Sequence, residues 1–82
     1  MITVKIVTFG IVRDMLDGQS TLYETLPADA RLEALSSMLA ERYPALRHLN
    51  ALRYAVNARY ANKDVILQQN DEIALIPPVS GG

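Results

Sequence analysis

The feature that most constrains the fold is one stretch of helical periodicity between segments that alternate like strands. Apolar residues recur at i, i+3, i+7 and i+11 along this stretch, namely Leu32, Leu35, Leu39 and Tyr43. This spacing predicts one principal amphipathic helix, whose apolar stripe must be buried against another element. Asp29 is the expected N-cap, and Pro44 disfavours helical dihedral angles at Tyr43, so the helix is expected to stop there.

Alternation of apolar and polar residues predicts strands on both sides of this helix. The first is expected over 2–9 and the second over 20–26, as a hairpin-like neighbour of the first. After the helix, strands are expected over 54–60 and 72–76, with a short edge strand at 65–67. The last segment has apolar residues on both faces, which is typical of a central strand covered on both sides.

The remaining segments are expected to be short connections. Residues 11–17 carry apolar pairs at i,i+4 and precede Gly18, which predicts one or two helical turns with a glycine C′ residue. Residues 45–52 are expected to be an irregular connection, and turns are expected at 62–64 and 70–71. A helix lying across one face of a small mixed sheet buries the apolar residues of the helix and those of the strands against each other. The pattern therefore predicts an α+β roll.

Length and composition bound the class of protein. A chain of 82 residues supports one core and hence one domain. Eight basic and nine acidic residues give a net charge of -1, which does not favour nucleic acid as a partner. The chain has no cysteine and no long apolar run, so we expect no thiolate metal site, no membrane partner and a cytoplasmic location.

Side-chain catalysis is not indicated by the inventory of reactive groups. His48 is the only histidine, and it follows a helix-ending proline without an evident partner. Asp71 and Glu72 are adjacent, so on a strand they point to opposite faces and do not form a carboxylate pair. Gly10 and Gly18 match no phosphate-binding spacing.

The C-terminal segment is the one feature that suggests chemistry. It reads Pro77-Pro78-Val79-Ser80-Gly81-Gly82. The prolines end the sheet and favour an extended backbone, so six residues reach about 20 Å from the body. Glycines without a Cβ pass through a narrow channel and leave the terminal carboxylate of Gly82 unhindered. The alternative from the residues alone is a frayed terminus without a role.

This ending resembles that of the small subunit of molybdopterin synthase, the MoaD family of ubiquitin-like sulfur carriers. The resemblance extends to Phe9–Leu16 with Val12-Arg13-Asp14, to Ala55-Val56-Asn57 and to Asp71-Glu72-Ile73-Ala74. It implies a β-grasp roll over 1–76, with a mixed four- to five-stranded sheet, one main helix and one short helix, and a flexible tail over 77–82. The chain departs from the family pattern at two places. It has Leu75 and Ile76 where many relatives have aromatic residues before the double proline, and Asn70 where many have a glycine.

The resemblance also implies a chemical cycle at Gly82. A MoeB-like adenylyltransferase uses ATP to convert the terminal carboxylate into an acyl-adenylate, and a sulfur donor system replaces the adenylate to give a thiocarboxylate. In a heterotetrameric synthase, the large subunit receives the tail, and the sulfur passes to precursor Z, cyclic pyranopterin monophosphate, to form the molybdopterin dithiolene. The chain itself would then be a non-catalytic sulfur-donating subunit without a permanently bound cofactor.

The same resemblance implies the residues that contact partners. By position they are Phe9, Arg13, Tyr60, Ile76, Pro77 and Pro78, together with Gly81 and Gly82 of the tail. Two structural alternatives stay open: Phe9 as a core aromatic residue at a strand end, and Arg13 as an i,i+4 partner of Asp17.

Three other functions remain open at this point. Two keep the fold and the reactive terminus: a thiamine-type sulfur carrier and a ubiquitin-like modifier that forms isopeptide bonds. The third belongs to a different class, a non-catalytic β-grasp interaction module whose tail has no chemistry.

Overall fold

The principal helix lies across one face of a mixed sheet in a computed structural model that describes residues 1–49 and 52–77. Along the chain, the elements are β1 (Ile2–Thr8), α1 (Gly10–Met15), β2 (Thr21–Leu26), α2 (Leu32–Arg42), a 3-10 helix (Pro44–His48), β3 (Arg53–Val56), β4 (Arg59–Ala61) and β5 (Glu72–Ile76). The five strands form one sheet in the order β2-β1-β5-β3-β4. This confirms the α+β roll.

The sheet is mixed because β5 pairs differently with its two neighbours. It runs parallel to β1, with Ile6 opposite Ile73, and antiparallel to β3, with Tyr54 opposite Leu75. The β1–β2 and β3–β4 pairs are antiparallel. The predicted central position of 72–76 is therefore confirmed.

One face of the sheet and the three helices enclose the core. The strands supply Val4, Ile6, Leu22, Leu26, Tyr54, Ile73 and Leu75, and the helices supply Val12, Leu32, Leu35, Leu39 and Leu46. The predicted stripe of α2 is thus buried, and Tyr43 packs partly against it. Burial of these side chains is the main stabilising term of so small a domain.

The N-terminus of α2 differs from the prediction. The helix begins at Leu32 after Arg31, whose side chain makes no capping hydrogen bond, and Asp29 is not the N-cap. Instead, the N–H groups of Leu32 and Glu33 donate to the carbonyl oxygens of Val65 and Lys63, at 2.8 and 3.0 Å. Backbone from a distant segment therefore satisfies the donors that a side-chain cap would have taken.

That segment was predicted as an edge strand at 65–67, and this prediction is wrong. Ile66 forms only an isolated antiparallel bridge with Arg31, and Leu67 donates to the carbonyl oxygen of Ala30 at 2.9 Å. Leu67 is buried in the core, so the segment closes the end of the helix instead of extending the sheet. The predicted turn at 62–64 is confirmed, since Asp64 N donates to Asn62 Oδ1 at 2.9 Å.

The single strand predicted over 54–60 is two strands joined by a tight turn. Asn57 and Ala58 have φ angles of 51° and 71°, the left-handed conformation of a two-residue hairpin. Asn57 is held there by its contacts: its Nδ2 donates to Asp71 Oδ1 at 2.8 Å, and its Oδ1 accepts from Glu72 N at 3.0 Å. Tertiary contacts thus fix a turn that contains no glycine.

Other local predictions are confirmed within a residue or two. Gly18 has φ 78° and donates its N–H to the carbonyl oxygen of Arg13 at 2.8 Å, but it is the C″ residue, one position beyond the prediction; the C′ residue after the Leu16 C-cap is Asp17, with φ 59°. Asn70 adopts φ 69° in the predicted turn. The irregular connection predicted over 45–52 is wrong in part, since its first residues belong to the 3-10 helix Pro44–His48. No helix in the described ranges is long and apolar enough to cross a bilayer.

We predict that Ala58→Gly stabilises the domain by about 1 kcal/mol, because glycine adopts positive φ without a steric penalty at this exposed turn position. The thermal midpoint should rise by about 4–8 °C in a domain of this size. The matched control is Ala34→Gly, an exposed position inside α2, which should destabilise by about 1 kcal/mol. A lower midpoint for Ala58→Gly would contradict the assigned turn.

Candidate functional site

The candidate site lies where the last strand ends. In the parallel pair, Thr8 at the end of β1 lies opposite Leu75, and in the antiparallel pair, Arg53 at the start of β3 lies opposite Ile76. The ends of three adjacent strands therefore meet at the point from which the chain continues toward Pro77. A protein that binds the C-terminal segment would therefore also contact this end of the sheet.

The sheet face opposite the helices forms the main surface of the site. Side chains alternate across β5, so Ile73 and Leu75 lie in the core while Ala74 and Ile76 face the other way, half-buried. We call the outward apolar surface at this end the tail-side face; it comprises Val7, Phe9, Ala55, Tyr60, Ala74 and Ile76. None of these residues belongs to the core cluster found in the described ranges.

The tail-side face exposes two aromatic side chains. Phe9 directly follows β1 in an extended conformation and is 55% exposed, and Tyr60 on β4 is 63% exposed. Tyr60 is in register with Ala55, so both occupy the same face of the sheet.

The buried residues of all three helices lie on the opposite side, and 72–76 is therefore not covered on both faces by the described elements. A continuous apolar surface of this kind is typical of an interaction site.

Arg53 borders this face and stacks on one of the aromatic rings. Its Cζ lies 4.1 Å from the centroid of the Tyr60 ring, which is a cation–π geometry. At an exposed position such a contact contributes about 0.5–1 kcal/mol. The contact holds the guanidinium over β4, while the backbone of Arg53 lies opposite Ile76 on β5.

The carboxylates near the start of β5 have structural partners. Asp71 accepts hydrogen bonds from Asn57 Nδ2 and from Gln68 N, both at 2.8 Å. Glu72 lies 3.9 Å from Lys5 Nζ, across the parallel pair. These contacts link the start of β5 to the β3–β4 turn and to β1.

The structure brings together some of the predicted contact residues. Phe9, Tyr60 and Ile76 share the tail-side face, and Phe9 is exposed instead of forming part of the core. Arg13 lies on α1, exposed, and its side chain forms no ion pair with Asp17 in the described ranges. Their contacts with partners stay predictions.

Most of the tail lies outside the described residues. Pro77 is half-buried directly after β5. Pro78, Gly81 and Gly82 lie outside the described residues, so their predicted roles stay predictions as well.

Two kinds of residue at this site were not anticipated from the sequence. Val7, Ala55 and Ala74 form the floor of the tail-side face, and Arg53 lies at its border. Strand alternation indicates which residues share a face of one strand. It does not indicate that β3 lies next to β5, which is what places Arg53 beside Ile76.

Comparisons with known proteins identify the family of the chain. The model of the ThiS family matches residues 6–82. The chain is 35% identical to the molybdopterin synthase sulfur carrier subunit of Caenorhabditis briggsae over 85 aligned positions, which cover 100% of both chains. It is 34% identical to the subunit of the same name from Mycobacterium tuberculosis, again over 100% of both chains.

The fold is similar to that of solved structures. A putative molybdopterin converting factor subunit 1 from Pyrococcus furiosus superimposes with a TM-score of 0.87 at 25% identity. The match covers 96% of this chain and 100% of the other. Ubiquitin-like proteins are among the further structural neighbours, which confirms the β-grasp fold.

Two alanine substitutions in adjacent residues test the assignment of the faces. Leu75→Ala should destabilise the domain by about 2–5 kcal/mol, because Leu75 is fully buried in the core. Ile76→Ala should cost only about 1 kcal/mol, because Ile76 lies on the open face. Urea unfolding monitored by circular dichroism measures both values. Equal losses would mean that Ile76 is also a core residue.

Proposed function

The chain belongs to the ThiS family, which confirms the resemblance seen in its sequence, and on this premise we propose that it is the sulfur carrier subunit of a molybdopterin synthase. The observation that carries the proposal is full-length similarity to proteins of that name, together with a family match that extends through Gly82. The matched range therefore includes the Gly-Gly segment.

In the proposed cycle, the Gly82 carboxylate is the acceptor of sulfur. A MoeB-like adenylyltransferase transfers AMP from ATP to this carboxylate and releases pyrophosphate. A sulfur nucleophile from a donor system then attacks the acyl carbon, the C–O bond to the phosphate breaks, and AMP leaves. A glycine at this position favours the reaction, because no Cβ obstructs approach to the carbonyl carbon.

Delivery of the sulfur requires a second partner. We assign this role to the large synthase subunit, which receives the tail and holds precursor Z. Two rounds of transfer supply the two sulfur atoms of the molybdopterin dithiolene, and in each round water cleaves the acyl C–S bond, which leaves the sulfur on the pterin and returns Gly82 to a carboxylate. No permanently bound cofactor is needed on the carrier, since ATP is used by the adenylyltransferase.

The folded body supports this cycle by supplying docking contacts. The tail-side face lies at the end of β5, so a partner that accepts the tail covers Ile76 and Pro77 first. Phe9 and Tyr60 are exposed at the same end of the sheet and extend the contact. Arg13 on α1 and Pro78 complete the set of proposed partner contacts.

We predict that incubation with ATP, a sulfide donor and the cognate adenylyltransferase raises the intact mass by the difference between one sulfur and one oxygen atom. The increase should be confined to the C-terminal peptide and should disappear after addition of precursor Z and the large subunit. Intact-mass and peptide mass spectrometry provide the measurement. A thiazole product or a conjugate with a lysine side chain would instead identify a thiamine-type carrier or a modifier.

A second prediction concerns the terminus. Gly82→Ala, or one alanine added after Gly82, should lower sulfur transfer by about 100-fold or more, because small displacements of a reacting group are that costly. The thermal midpoint should stay nearly unchanged. One alanine added before Met1 is the matched control and should transfer normally. Full function after deletion of Gly81 and Gly82 would favour the interaction module.

A further inference from the structure

Arg53 borders the tail-side face, and no acidic residue within the described ranges pairs with its charge. Two ion pairs occur within the described ranges: Lys5 pairs with Glu72 across the sheet, and Arg42 pairs with Glu24. Arg53 is exposed and takes part in neither of them. Within these ranges its guanidinium makes a cation–π contact with the Tyr60 ring, whose centroid lies 4.1 Å from Cζ.

The stack orients the guanidinium without using its donors. Contact with a ring occupies the flat face of the group, and the N–H bonds lie in the plane of the guanidinium. The rigid fork of donors therefore remains available to an acceptor with two oxygen atoms. Because the stack limits the motion of the side chain before binding, less conformational entropy is lost when such an acceptor binds.

The residues around Arg53 indicate which chemical group a partner needs at this position. Arg53 is in register with Ile76, the last residue of β5, and its neighbour on the same face, Ala55, is only 6% exposed. A partner that receives the chain beyond Ile76 must cover this corner. An apolar cover would bury an unpaired charge at a large cost, whereas a carboxylate would form a charge-assisted pair of hydrogen bonds.

We infer that Arg53 is a specificity-determining residue that pairs with a carboxylate on the protein that receives the tail. The inference rests on the proposed function and adds the chemistry of the partner surface: an acidic side chain framed by apolar residues that contact Ile76 and Tyr60. Such a pair discriminates between partners, because a surface with a basic or apolar residue at this point is rejected.

The chain offers a matched control for this inference. Arg59 is also exposed and lies on β4 next to Tyr60, but it is in register with Val56, which packs partly against the core. Arg59 therefore belongs to the opposite face of the sheet. Arg53→Glu and Arg59→Glu change the net charge equally, so a difference between them reports position and not overall charge.

The experiment measures binding of the wild type and three variants to the large synthase subunit of the same organism by calorimetry, at low and high salt. Arg53→Glu should weaken binding about 30-fold or more, and Arg53→Lys about 5-fold, since lysine keeps the charge but loses the fork and the stack. Arg59→Glu should stay within about 2-fold of the wild type, since a distant surface charge acts only weakly. Thermal midpoints of all four proteins verify folding.

The outcomes separate this inference from the proposed function. If Arg53→Glu binds as tightly as the wild type, or if Arg59→Glu is weakened equally, the inference is wrong while the sulfur-carrier function stands on the wild-type complex. If the wild type itself forms no complex with the large subunit, both are wrong. A selective loss for Arg53→Glu that is larger at low salt than at high salt supports the inference.

Discussion

Hydrogen bonding of β5 on both of its edges is the interaction on which the other features depend. Its parallel pairing with β1 and its antiparallel pairing with β3 bring residues from the two ends of the chain into one sheet. Successive side chains of β5 point to opposite faces of the sheet. Ile73 and Leu75 fill the core, and Ala74 and Ile76 build the tail-side face. One five-residue strand thus contributes both to the core and to the tail-side face.

Local patterns were sufficient to predict much of this fold. The spacing of Leu32, Leu35 and Leu39 predicted the buried stripe of α2, and the apolar residues of 72–76 predicted a central strand. These predictions succeeded because burial imposes its period on the sequence. The same argument predicted cover on both faces of β5, whereas the described elements cover only one, because apolar residues on both sides of a strand do not indicate which element covers each side.

The predictions that failed depended on contacts between distant segments. Asp29 was expected to cap α2, but the first N–H groups of the helix donate to the carbonyl oxygens of Lys63 and Val65. The Asn57-Ala58 turn was missed because neither residue is a glycine, and the contacts of Asn57 with Asp71 and Glu72 override local preference. The candidate site followed the same rule: its tail was visible as a motif, whereas the place of Arg53 depended on strand order.

The interior position of β5 has a mechanical consequence. Any force applied along the C-terminal segment is transmitted to a strand held by neighbours on both sides. Hydrogen bonds to β1 and β3 are then loaded in shear and share the force, whereas an edge strand would peel away bond by bond. Unfolding from the C-terminal end therefore requires hydrogen bonds on both edges of β5 to break together.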